Sequence, residues 1–94
     1  MKQKTFSART YKDAVRFNMP KDVRKDLGLK GSRPGKPGDT VNLLVVSSTG
    51  RYNGPLPLMS GTEIYGRGLG KSKILKDQEI TVTARRLVTT RGAH

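Results

Sequence analysis

One segment of this chain, Val41-Asn42-Leu43-Leu44-Val45-Val46, is a nearly continuous apolar run rich in β-branched residues and bounded by turn residues, the pattern of a buried strand. Asp39-Thr40 leads into it and Ser47 to Gly50 turns out of it, so it reads as a core strand covered on both faces. Everything else must be assembled around it from thin material. Only 33% of the 94 residues are hydrophobic and 5% aromatic. A chain of this size withdraws roughly 60 to 65% of its extended-state surface from water on folding. One domain is the ceiling, and a homodimer would supply burial that a single copy lacks. There is no Cys and the one His is the last residue, which excludes disulfides, thiolate metal cages and imidazole chemistry. No apolar run approaches about 18 residues and no signal-peptide core follows the first Met, so a cytoplasmic protein with no membrane partner is expected.

The flanking segments carry strand and helix periods. Lys4 to Thr10 places Phe6 and Ala8 on one face, and Ala14 to Met19 alternates with Val15, Phe17 and Met19 inward and Arg16 and Asn18 outward. A two-residue turn at Lys12-Asp13 would join them as a hairpin with Arg9 opposite Arg16. Such a like-charge pair costs a few tenths of a kcal/mol unless an anion covers it. Pro20 then opens a helix, Asp22 sits in its first turn, Met19, Val23 and Leu27 recur every four residues, and Gly28 suits the position after the last turn. About two turns long, this helix needs packing to hold it.

Repeated Gly and Pro make Lys30 to Gly38 a loop, and a basic one. After the core strand, Arg51-Tyr52-Asn53 returns as a short strand that Gly54-Pro55-Leu56-Pro57 interrupts. Thr62 to Tyr65 follows, then a Gly-rich loop from Gly66 to Gly70. A last strand from Glu79 to Arg85 puts Ile80, Val82 and Ala84 on one face, and the tail after Val88 is polar enough to fray. The expected class is β-rich α+β, with four to six short strands and one helix.

Charge points to the partner. Nineteen Lys and Arg against seven Asp and Glu leave a net +12, a self-repulsion that a polyanion relieves with release of its condensed counterions. An anionic membrane surface would call for a longer basic amphipathic helix than this one. The stretch Gly66-Arg67-Gly68-Leu69-Gly70-Lys71-Ser72 invites comparison with a phosphate-cradling P-loop, but the residue five before Gly70 is Tyr65 rather than Gly. An ordinary hairpin connection is the simpler expectation, with a basic loop touching phosphates through Arg67 and Lys71 as the functional alternative. The seven carboxylates are scattered and no Ser has a His to activate it, so neither enzyme, cofactor nor small-molecule substrate is expected. Phe6 and Phe17 belong to the core, whereas Tyr11, Tyr52 and Tyr65 could stack on single-stranded bases.

The ordered run from Val15 through Pro20 and Leu27-Gly28-Leu29, followed by Pro37-Gly38-Asp39-Thr40-Val41, resembles the AbrB/MazE-like swapped-hairpin family. The resemblance covers about half the chain and departs from the family by inserting Gly31 to Lys36. It implies a small swapped-hairpin β-barrel formed by an intertwined homodimer, with residues 1–53 as its core; 54–94, a β-rich extension bearing the Gly-rich loop, falls outside the family pattern. It further implies that Arg16 and Arg24, with Lys21 and Lys25 adjacent, meet duplex DNA. Arg9, Lys12, Arg33, Lys36, Arg67 and Lys71 complete the expected nucleic-acid contacts from charge and position.

Ribbon-helix-helix proteins fit the first half less well, because Gly31 to Gly38 stands where their second helix begins. The functional expectation is a dimeric transcriptional regulator binding double-stranded DNA mainly through phosphates. Two alternatives belong to other classes. One is a single-stranded DNA or RNA-binding barrel, and the other is a protein-interaction or antitoxin-like module using Gly54 to Gly70.

Overall fold

The computed structural model describes residues 2–59 and 63–87. The apolar run forms β3 (Thr40–Val46), flanked on either side within a four-stranded antiparallel sheet of order β1-β6-β3-β4. Its neighbours are β4 (Arg51–Pro57) and β6 (Glu79–Arg86), and β1 (Gln3–Arg9) lies beyond β6. A second sheet pairs β2 (Arg16–Asn18) with β5 (Glu63–Tyr65), and two short helices, α1 (Lys21–Asp26) and α2 (Arg67–Lys71), complete the described elements. All of these pairings lie within one chain. None of the described helices is long and apolar enough to cross a membrane.

Several expectations change. β3 is fully buried on one face only: Val41, Leu43 and Val45 are inaccessible, while Asn42 and Leu44 are half-buried and Val46 is 41% exposed. Alternation, rather than the continuous run, decides its burial, as in an antiparallel sheet with one face on the core. β4 does not stop at Gly54 but runs through Pro55 and Pro57, opposite Asn42 and Thr40. The sheet tolerates both prolines because β4 is its last strand, where a missing N–H breaks no ladder. The Gly-rich stretch is helix α2 rather than a loop, so there are two described helices instead of one, with Leu69 buried as its anchor.

The expected hairpin between the first two strands is also absent. β1 pairs with β6 over seven residues, from Gln3 opposite Arg85 to Arg9 opposite Glu79. Seven cross-strand pairs with Ile80, Val82 and Ala84 outweigh the three that β2 could offer. Thr10 fixes the choice at the strand end, where its N–H donates to the Gln78 carbonyl (2.9 Å), its hydroxyl donates to the Leu75 carbonyl (2.7 Å), and the same hydroxyl accepts the Gln78 N–H (2.9 Å). Arg9 therefore faces a carboxylate instead of Arg16.

The two sheets are tied at their corners. Leu58, just past β4, bridges Ile64 of β5, and the Tyr11 N–H donates to the Arg16 carbonyl (3.0 Å) between the end of β1 and the start of β2. Inside lie Phe17, Met19, Leu58, Ile64, Leu69 and Ile74 together with the inner faces of β3 and β6. β6, from the last third of the chain, sits centrally between β1 and β3, so the first and last thirds share one sheet.

Helix α1 follows its sequence closely. Pro20 caps it with extended backbone (φ −57°, ψ 143°), and Val23 and Leu27 bury one face. Gly28 ends it at φ +67°, with its N–H on the Lys25 carbonyl (3.1 Å) and the Leu29 N–H on the Arg24 carbonyl (3.0 Å). This is a Schellman arrangement, which asks for glycine at the left-handed position.

Candidate nucleic-acid interface

Strand direction divides the molecule into two ends. At one end lie the start of β1, the start of β3, the end of β6, helix α1 and the connection from α1 to β3. At the other lie the end of β1, the turn from Ser47 to Gly50 and residues 72–78, and helix α2 runs along β4 from beside Leu56 to beside Gly50. The ten cations expected at a nucleic-acid surface are not brought together. Lys21, Arg24, Lys25, Arg33 and Lys36 share the α1 end, Arg9 and Lys71 are toward the other, Arg67 begins α2 next to Gly66 and Leu56, Lys12 lies on the exposed bend before β2, and Arg16 opens β2.

Two of the most favoured arginines are already occupied. The Arg9 Nε donates to Asp77 Oδ1 (2.9 Å), with Glu79 3.9 Å away. Arg16 sits between Asp13 (3.8 Å) and Glu63 (3.5 Å), its guanidinium carbon 4.4 Å from the centre of the Tyr11 ring. Ion pairs this exposed add little stability, but each cancels charge that a phosphate would otherwise meet.

The α1 end is different. Lys21, Arg24, Lys25 and Lys30 line an open groove of about 480 Å³ whose remaining walls are Gly28 and Leu29, with no carboxylate in the lining. Helical spacing creates this: with Val23 and Leu27 turned inward, positions 21, 24 and 25 fall on the outer side. Arg24 is half-buried, its Nη1 3.5 Å from the Leu29 carbonyl, so its guanidinium is laid along the groove.

Of the acids nearby, Asp26 pairs with Lys4 (3.0 Å) and one Asp39 carboxylate oxygen accepts the Lys30 N–H (2.8 Å), while Asp22, exposed in the first turn of α1, is in none of the described ion pairs and lies outside the lining. Sequence reading missed two members of this end, Lys30 and Arg86. Arg86 comes from the last strand, and its Nη1 lies 3.5 Å from where a Cβ on Gly28 would stand. Only the pairing of Val41 with Arg86 brings it there, and no local sequence signal encodes that pairing.

Beyond the groove, the inserted segment is not irregular. Arg33 and Lys36 pair across Pro34-Gly35, Arg33 N–H to Lys36 carbonyl (3.0 Å) and Lys36 N–H to Arg33 carbonyl (2.8 Å), with Gly35 at φ +81°. Proline followed by a residue of positive φ is the signature of a type II turn. Residues 33–37 are all exposed.

The tyrosines are mostly committed to structure. The Tyr11 hydroxyl accepts from Asn18 Nδ2 (2.6 Å), and Tyr52 donates to the Pro55 carbonyl (3.2 Å) with its ring against Gly54 and Gly68. Tyr65, 49% exposed, presents the most open ring of the three. No family model, curated protein or solved structure matches this chain.

Proposed function

We propose that the protein binds double-stranded DNA, mainly through phosphates, with the α1 end of the fold as its contact surface. The observation that carries this is the groove lined by Lys21, Arg24, Lys25 and Lys30 without a carboxylate, flanked by the exposed Arg33 and Lys36. A surface of that kind suits a regular row of phosphates, which gives strong, salt-sensitive affinity with little dependence on sequence. Duplex is favoured over single strands because Tyr11 and Tyr52 are bonded into the structure, leaving one ring rather than a stacking platform. Regulation of transcription by a homodimer, as the swapped-hairpin resemblance implies, belongs to the same reading.

A salt titration of duplex affinity tests it. Four to six phosphate contacts at this end should give a log–log slope of roughly −3.6 to −5.4, at about −0.9 per contact. A flat response removes the electrostatic interface, and tighter binding to single strands of equal length transfers the assignment to the alternative barrel. Sedimentation in the same buffers checks the dimer, which requires twice the 10.3 kDa of one chain on the duplex. A single copy per site removes the swapped-hairpin part alone.

A further inference from the structure

We propose that Arg33 and Lys36 form a two-pronged clip that closes on one phosphate of the nucleic-acid backbone. The proposal rests on the duplex-binding function above and assigns a specific contact within it.

The sequence suggested a like-charge pair opposite one another at Arg9 and Arg16; the structure places one at Arg33 and Lys36 instead. Because these residues exchange both backbone hydrogen bonds, they are directly opposed on the ribbon. Their side chains therefore leave the same face, with Cβ atoms about 5 Å apart. Opposed like charges destabilise a ribbon, yet none of the described ion pairs involves either residue. Asp39, the nearest acid in sequence, is held at the base of the ribbon, where its carboxylate accepts the Lys30 N–H and its own N–H donates to the Lys30 carbonyl, both at 2.8 Å. The repulsion is thus preserved at the tip rather than cancelled.

Geometry and chemistry match one tetrahedral anion. Pro34 fixes one corner of the turn and Gly35 supplies the other, so the backbone positions from which the two side chains spring are set before any ligand arrives. Arginine offers a planar fork to the two non-bridging oxygens of a backbone phosphate, and lysine adds a point charge beside them. Pro34 and Gly35 carry no bulk that would keep a backbone phosphate away. Free inorganic phosphate shares this chemistry, and the experiment separates the two sources.

Duplex affinity is measured across a salt series for the parent, Arg33→Ala, Lys36→Ala and the double variant, all of which change exposed tip side chains only. Each single variant should lose up to about tenfold in affinity at 0.1 M salt, and the double variant should lose little more. Its slope should fall by about 0.9, the value for one phosphate. A fall near 1.8 with additive losses means two separate contacts and overturns the clip, as does a double variant that binds like the parent. A parent that shows no salt-dependent duplex binding overturns the underlying function instead. Titrating inorganic phosphate while following the Gly35 amide by NMR supplies the second arm. A shift in the parent that vanishes in the double variant supports the clip, whereas that shift with duplex binding unchanged overturns its assignment to nucleic acid.

Discussion

Changing Lys21, Lys25 and Lys30 together to Gln is expected to weaken duplex binding by about 10²- to 10³-fold at 0.1 M salt. Each phosphate contact contributes about 0.9 to the salt slope, hence about 0.9 of a decade at 0.1 M relative to a 1 M reference. Three contacts therefore account for nearly three decades. Lys21, Lys25 and Lys30 are exposed and take no part in the described ion pairs, so the triple variant should fold as the parent does. Arg9→Gln and Arg16→Gln serve as controls. Both arginines are matched by carboxylates, and their loss should change affinity by no more than a few fold. Filter binding or anisotropy against one duplex at three salt concentrations decides the matter. If the controls weaken binding and the triple variant does not, the contact surface lies on the side of Arg9 and Arg16 and away from the α1 end.

Phe17→Ala is expected to destabilise the fold by about 3 to 5 kcal/mol. Phe17 is fully buried at the centre of β2, opposite Ile64, with its ring 6.3 Å from that of Phe6. A three-residue strand has few hydrogen bonds of its own, so this side chain, together with Ile64 opposite it, anchors the two-stranded sheet in the core. Domains of this size are stable by only about 5 to 15 kcal/mol, and at 4 to 8 °C per kcal/mol the melting temperature should fall by roughly 12 °C or more. Phe17→Leu keeps most of the volume and should cost under about 2 kcal/mol. Thermal unfolding by circular dichroism reads both, and near-parental melting of the alanine variant would remove Phe17 from the centre of the core.

The sequence carried the elements better than their partners. Val23, Leu27 and Gly28 marked α1 and its end, and the alternation of Ile80, Val82 and Ala84 marked β6, because helix and strand periods are local properties. Pairing is not local. Nothing in Lys4 to Arg9 distinguishes β6 from β2 as a neighbour; Thr10 does so through contacts with Leu75 and Gln78 more than sixty residues away. That one misplacement also altered the candidate site, setting Arg9 beside Asp77 and leaving Arg86 unsuspected. Helix α2 was hidden for a different reason, since two interior glycines lower helix propensity by roughly 1 kcal/mol each and a single buried Leu69 shows no period. The Arg33–Lys36 ribbon was written plainly as Arg-Pro-Gly-Lys, but repeated Gly and Pro read as a breaker when the turn they specify is overlooked.

Arg33 and Lys36 have one more thing in common: each precedes a proline, so the bond after each is a tertiary amide. Exposed basic loop tips are where digestive proteases usually nick a folded domain. Trypsin selects those two side chains but handles a prolyl nitrogen poorly, since the ring occupies the space a leaving amide N–H would take. Limited tryptic digestion followed by mass spectrometry should therefore leave 33–37 whole while bonds after other accessible lysines are cut. A fully exposed stretch of the molecule would then also be among its most durable.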